Sequence, residues 1–374
     1  MLSIIRRHLL IRKTYTRYQR LGLKIDISRE KYEIGLIGGN YGYEVLMPEL
    51  KAMDNVNLTF AAPDNMSLEK KENLAKAGIN VLSKSEFFDY EKTKIVFIAV
   101  PPSSQLQIGK KVLQNKRDLY IEKPAGLNYI ETSKIEEIRK AENQRAFVGF
   151  QFRFDPGIIA LKELLELKIL GNIDQITVNW HTSGTSAKQD NLNWRHNIKL
   201  GGGVHRDFLC HVLDYLKWVT NNSINQSLHL LSLDPKIKSN LYNLSLISDQ
   251  SKNNFVRINI SRGFQSVSHW EVAMKFENGE YSIYSSFPFS VNDYRVQISG
   301  SKEFCNLATK FTDSNKYLDD SLKLGFARNY ALNNYFTSII KNVFEDNSIK
   351  LPDLEDAKFT QLISDQIQKQ LTLG

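Results

Sequence analysis

Residues 33–42 read Glu-Ile-Gly-Leu-Ile-Gly-Gly-Asn-Tyr-Gly: a short apolar strand running straight into glycines. A helix-like stretch follows, with Val45, Leu46 and Leu50 on one side. Glycines at a strand-to-helix turn let a diphosphate approach backbone N–H groups at the positive end of a helix. The spacing is Gly38, Asn40, Gly42, with Gly39 and Tyr41 between, so the usual Gly-x-Gly-x-x-Gly is absent. Asn is the non-glycine residue that best tolerates positive φ, so the departure at Asn40 is physically mild. Taken alone, such a turn serves equally well as an ordinary strand-to-helix connection.

Working outward, the pattern repeats. Asn57 to Ala62 reads as a second strand and Leu68 to Ala77 as a helix. Lys94 to Val100 has no polar residue after Lys94, as parallel strands buried on both faces do. Pro101-Pro102 stops it. Leu106 to Asn115 is helical, Asp118 to Ile121 a strand, Tyr129 to Ala141 a helix and Ala146 to Gly149 a strand. Strands alternating with helices at this spacing imply an α/β, doubly wound parallel sheet. After residue 151 the texture changes. Ile158 to Leu170 and Gly203 to Trp218 read as helices around a strand at Ile173 to His181. From 227 to 310 apolar and polar residues alternate between turn signals, and Asn278-Gly279 between alternating runs is a hairpin signal. This half is read as an open, mostly antiparallel sheet with helices on one face, an α+β arrangement. Two helices, about Asn329 to Phe344 and Leu354 to Gln370, finish the chain, the last placed to pack back on the first domain. The expected organisation is an arm over 1–32, a dinucleotide-binding domain over 33–150 and a substrate and oligomerisation domain over 151–374.

Composition narrows the function classes. The chain has 374 residues, 42% hydrophobic and 24% charged, which is a folding globular chain. Two cysteines, Cys210 and Cys305, exclude a disulfide scaffold and a cysteine-based zinc site. No apolar run reaches the length of a membrane span. The net charge of +8 is local: Arg6, Arg7, Arg12, Lys13, Arg17, Arg20 and Lys24 lie in an acid-free start. Without those seven, 42 basic residues face 41 acidic ones, so nucleic acid and membrane are not the expected partners. The apolar stretch from Leu9 to Ile11 is too short for a secretory signal. The arm reads as a helical extension of a cytoplasmic protein; the alternative is a mitochondrial presequence.

Two further stretches can carry chemistry. Glu122-Lys123-Pro124 follows a strand, and ligands bind outside the carboxyl ends of parallel strands. Lys123 there can donate to a substrate hydroxyl or carbonyl, and partial burial is expected to lower its pKa. The other reading is a surface lysine before a proline turn. Gly201-Gly-Gly-Val-His-Arg-Asp207-Phe-Leu-Cys-His211 places Asp207 and His211 one turn apart on a helix. A carboxylate there holds an imidazole in one orientation, as acid–base work requires; the plainer reading is a capping Asp and a core His. The three glycines allow close approach by a ligand or another backbone. His205, Asp207 and His211 also suit a metal, although none is expected here.

These pieces occur in a recognisable order. Ile34 to Gly42 with Pro48 downstream, Ala99-Val-Pro-Pro102, Glu122-Lys-Pro124, Gly149-Phe-Gln-Phe-Arg-Phe-Asp-Pro156, Trp194-Arg195 and Gly-Gly-Gly-Val-x-x-Asp-x-x-x-His follow one another. Together they resemble the glucose–fructose oxidoreductase / inositol dehydrogenase (Gfo/Idh/MocA) family over about residues 33–372. The resemblance implies a Rossmann domain binding NAD or NADP and a second domain whose open sheet forms a homo-oligomer contact. It implies that Lys123, Asp207 and His211 are catalytic, and that Gly38, Gly39, Asn40, Tyr41, Gly42, Asp64, Val100, Pro101, Gln105, Glu122, Lys123, Gln151, Trp194 and Arg195 surround the cofactor. Three positions depart from the pattern: Asn40 stands for glycine and Gln105 for histidine. After strand two, either Pro63 fills the ribose-binding acid's place or Asp64 does with a one-residue slip. The expected activity is hydride transfer between nicotinamide and a sugar, nucleotide-sugar or cyclitol carbon. The rivals are a reductase of a non-sugar carbonyl or imine, and a dinucleotide-binding regulator without turnover.

Overall fold

The computed structural model describes residues 31–53, 55–166, 171–182, 194–221, 228–233, 243–248, 255–262, 268–285, 295–301, 327–345 and 349–373. The arm, Cys305 and the Ser183–Asn193 loop lie outside them. The first sheet contains β1 (Tyr32–Ile37), β2 (Val56–Ala61), β3 (Asn80–Leu82), β4 (Ile95–Ile98), β5 (Asp118–Ile121) and β6 (Ala146–Val148), all parallel, in the order β3-β2-β1-β4-β5-β6. Ile95 to Ile98 are fully buried, which is why that strand reads as an unbroken apolar run. β3 and the helix after it, α3 (Lys84–Asp89), do not figure in the sequence reading. Ser83 and Glu86 close a capping box there. The remaining helices of this half are α1 (Met47–Lys51), entered through a π-helical turn at Gly42–Leu46, α2 (Leu68–Lys76), α4 (Pro102–Gln114) and α5 (Tyr129–Glu142). β1 and β4 are neighbours whose onward connections leave to opposite sides, so a crevice opens between their carboxyl ends.

The second half opens with a 3-10 turn (Gln151–Phe154) and α6 (Pro156–Glu166). Its sheet contains β7 (Ile173–Thr182), β8 (Leu228–Leu233), β9 (Asn243–Ser248), β10 (Phe255–Arg262), β11 (His269–Phe276), β12 (Gly279–Ser285) and β13 (Arg295–Gly300), in the order β13-β12-β11-β7-β10-β9-β8. All pairings are antiparallel except β7 with β10. Period-two alternation sends Ile176, Val178 and Trp180, and Trp270, Val272, Met274 and Phe276, to one face. There they pack on Ile158, Leu161 and Leu164 of α6, and on Val212, Leu213 and Leu216 of a later helix. Each such side chain contributes about 1.5–3 kcal/mol on burial. The other face carries Gln175, Thr177, Asn179 and His181, all half-buried or more exposed.

One helix expected over Gly203 to Trp218 is two, α7 (Val204–Asp207) and α8 (Leu209–Val219), interrupted at Phe208. The last helices, α9 (Ala327–Phe344) and α10 (Leu354–Leu373), return to the first sheet. Leu332, Tyr335, Phe336 and Ile339 share a core with Leu36, Phe97 and Tyr120. The Val148 N–H donates to Pro352 O at 3.0 Å, covering the β6 edge. No described helix is long and apolar enough to cross a membrane.

Candidate active site

The β1 turn is built by approach distance. Gly38 adopts φ +150°, and a Cβ on it would stand 2.5 Å from the Ala99 carbonyl oxygen, so only glycine fits. A Cβ on Gly39 would press on Pro63 Cγ at 3.0 Å. Asn40 does not use that tolerance, since it is not among the residues at positive φ. It opens the helix instead, its carbonyl accepting from Glu44 N at 2.7 Å. Gly42 lies inside the π-helical turn, where its missing Cβ lets the helix approach Ala99 and Leu36. Tyr41 packs on the edge of the same core. The result is a turn narrowed by Gly38, Gly39 and Gly42 at a helix start, whose first amides have no intrahelical partner. Such a turn fits a dinucleotide's diphosphate. Asp64 is 82% exposed and pairs with Lys84 at 3.1 Å.

The ends of β4 and β5 are joined by Gln105. Its Nε2 donates to Glu122 O at 2.8 Å and Val100 O at 3.3 Å, while its Oε1 accepts from Gly126 N at 2.6 Å. This buried brace holds Val100, Pro101 and the Glu122–Lys123 turn in register. Glu122 accepts from Tyr120 OH at 2.6 Å, and a Cβ on Gly149 would stand 2.9 Å from Glu122 Oε1. Gln151 is buried beside this segment, and its Oε1 receives no hydrogen bond.

Lys123 meets Asp207 across the two halves. Its Nζ donates to Asp207 Oδ1 at 2.9 Å and to Asp207 O at 2.7 Å. Asp207 Oδ2 accepts from Arg262, and Arg195 Nε lies 3.6 Å away. Burial pulls the Lys123 ammonium down, but Asp207 outweighs it and holds the pKa above the ordinary value. The lowered pKa expected for Lys123 is therefore not found. Burial alone would raise the Asp207 carboxyl; Lys123, Arg262 and Arg195 hold it well below the usual range instead. Both groups stay ionised across the working pH range.

Asp207 does not bond His211, as the one-turn spacing had led us to expect; both of its oxygens face cations. His211 sits on the first turn of α8, beyond the break at Phe208, its ring 4.8 Å from that of Phe152 and 6.1 Å from Trp180. Of the three glycines, Gly202 approaches the Trp194–Arg195 backbone, where a Cβ would stand 2.7 Å from Arg195 O, whereas a Cβ on Gly201 would meet Pro102 Cβ at 2.6 Å. Gly203 N donates to Arg195 O at 3.0 Å. Arg195 stacks on Trp194, centroid distance 4.8 Å. His205 packs on Gly203, and burial lowers its pKa to about 3, so it remains neutral. Burial pushes the Cys210 thiol up to about 12. Among the described residues no group of His, Cys, Asp and Glu is placed to hold a metal. Arg262 is the residue that the sequence reading missed. Its signal was the row Val256, Ile258, Ile260, Arg262, which carries a guanidinium onto the apolar face of β10.

With the geometry in place, comparison with known proteins is direct. Residues 32–150 match the model of the "Oxidoreductase family, NAD-binding Rossmann fold", and residues 162–316 that of the "Oxidoreductase family, C-terminal alpha/beta domain". The chain belongs to this Gfo/Idh/MocA oxidoreductase family. Among its curated relatives, the myo-inositol 2-dehydrogenase of Thermotoga maritima is 24% identical over 196 residues, 52% of this chain and 56% of that protein. The chain spans about half the length of the curated relatives it matches. The WlbA dehydrogenase of Bordetella pertussis, solved with NADH and UDP-GlcNAcA, superposes with a TM-score of 0.71 at 16% identity, over 92% of this chain and 96% of that one. The 3-ketoreductase KijD10 of Actinomadura kijaniata, solved with NADP, gives 0.66 at 12% identity over 91% and 98%. These structures share the fold of the Gfo/Idh/MocA chain described here, with its NAD-binding Rossmann domain.

Proposed function

We propose that this oxidoreductase is an NAD(P)-dependent dehydrogenase acting on a CH–OH group of a sugar, nucleotide sugar or cyclitol. The observation that carries this reading is the Lys123 ammonium at the carboxyl end of the first sheet. Asp207 takes two of its three N–H groups, and no other described residue takes the third. The turn at Gly38–Gly42 would hold the dinucleotide, which supplies or accepts the hydride when bound. Lys123 donates to the substrate oxygen and stabilises the negative charge that develops there. His211 takes the hydroxyl proton in oxidation and returns it in reduction. Residues 33–150 form the cofactor half and 151–374 the substrate half, with self-association through the open face of the second sheet.

Fluorescence titration with NADH and NADPH, followed by cofactor reduction with myo-inositol, free aldoses and UDP-sugars, tests the reading. Saturable cofactor binding and turnover of one such alcohol are expected. Tight cofactor binding without turnover of any of them would favour a regulator instead.

A further inference from the structure

We propose that Arg262 is a positioning residue of this site, acting on Lys123 through Asp207; the inference rests on the dehydrogenase reading above. Arg262 ends a row of apolar side chains on β10, and only 1% of it is exposed. A guanidinium in that place gives up its hydration and needs a strong partner to remain there. The partner is Asp207 Oδ2, with Arg195 O at 3.5 Å from the other amino group and the Phe208 ring 4.7 Å beneath the guanidinium.

The division of the carboxylate is what matters. Arg262 occupies Oδ2, so Oδ1 alone is left for Lys123 Nζ, at 2.9 Å. A carboxylate anchored at one oxygen does not turn about its own axis, and the lysine bound to the other oxygen keeps one direction. The Asp207 carbonyl takes a second N–H at 2.7 Å, which fixes where the third points. Charge follows the same logic. Lys123 and Asp207 alone would form a neutral pair with little left for a substrate alkoxide. With Arg262 on Oδ2 and Arg195 Nε 3.6 Å from the same oxygen, the four groups carry two net positive charges, and the ammonium still acts as a cation toward the reacting oxygen. Arg262 touches neither substrate nor cofactor in this scheme.

A double-mutant cycle tests the inference with the best alcohol of the panel above, reading kcat and KM separately and NADH affinity by fluorescence. Arg262→Gln should lower kcat by ~10–100-fold with NADH affinity within about threefold of wild type. In an Asp207→Asn background the same change should cost no more than about threefold, because its route to Lys123 is already cut. Arg262→Lys, which keeps the charge, should recover at least about half of the lost free energy of activation. It also serves if Arg262→Gln does not fold. Equal losses in both backgrounds would overturn the inference and make Arg262 a structural ion-pair partner. An unchanged kcat in folded Arg262→Gln would do the same. Absence of turnover by the wild type itself would instead remove the dehydrogenase reading, and the inference with it.

Discussion

At the scale of single residues, the site is organised by what surrounds one carboxylate. Asp207 is ionised because three cations face it, and Lys123 is ionised because Asp207 faces it. Neither can exchange a proton near neutral pH, so in the proposed reaction Lys123 is a fixed donor. Replacing it with Ala should lower kcat by ~10²-fold, as removal of a positioned donor does, with NADH affinity within about threefold. Unchanged kcat/KM in a folded Lys123→Ala protein would remove it from the chemistry. Lys123 and Asp207 were legible because a strand end and a Gly-rich turn mark where they sit. Their partnership was not, since 84 residues separate them in sequence. Spacing of four suggested Asp207 with His211; the break at Phe208 and the pull of buried cations decided otherwise. Gln105 shows another limit. It stands where a ligand contact was expected, but the bonds it makes run to two backbone carbonyls and a backbone N–H, for which side-chain patterns give no sign.

At the scale of elements, short turns decide what can bind. Gly38 carries the strained conformation, so Gly38→Ala should cost about 1–2 kcal/mol in backbone strain alone and displace the turn from Ala99. NADH affinity should fall at least ~10-fold; an unchanged titration would mean that this turn holds no phosphate. The end of β2 bears on cofactor choice. An acid there accepts from the ribose hydroxyls and repels a 2′-phosphate, and this chain offers Pro63, with Asp64 turned outward onto Lys84. Pro63→Asp should shift preference toward NADH over NADPH by ~10-fold or more, read as the ratio of the two dissociation constants. No shift would show that the ribose lies elsewhere. β4 was legible because burial on both faces leaves Ile95 to Ile98 without a polar residue. β3 escaped because three residues carry no period, although Ser83 and Glu86 marked the next helix. The parallel pairing of β7 with β10 joins strands 80 residues apart, a separation over which alternation says which face is buried but not which strand is adjacent.

At the scale of the whole molecule, buried charge ties the returning helix α10 to α8 and to the 3-10 turn at Gln151–Phe154. Arg153 binds Asp214 and Asp356, and Lys217 completes the set on Asp356 at 3.1 Å. Arg153→Met would leave buried carboxylates without their main partner and should destabilise the fold by about 3–5 kcal/mol, measured by urea unfolding; a loss within experimental error would mean the carboxylates are stabilised otherwise. His205 gives a pH signature of the packing of α10 on the second half. It is buried between α7 and α10, Ser364 Oγ donates to its carbonyl at 3.1 Å, and burial with the neighbouring Arg206 lowers its pKa from 6.5 to about 3. Above pH 6.5 the imidazole is neutral whether the chain is folded or not, and contributes no pH dependence. Below it the unfolded chain takes up a proton that the folded chain refuses, so stability falls by up to about 1.4 kcal/mol per pH unit until the folded imidazole also titrates near pH 3. Asp214, pushed up to about 7 by burial, binds a proton in the fold over part of this window and opposes the trend. The His205 share is therefore the difference between wild type and His205→Gln. Between pH 6.5 and 4.5 the wild-type stability should decline more steeply than that of the variant, by about 2–3 kcal/mol across the interval. Parallel curves would mean that His205 is protonated as readily in the fold as outside it, and that the α7–α10 contact admits water.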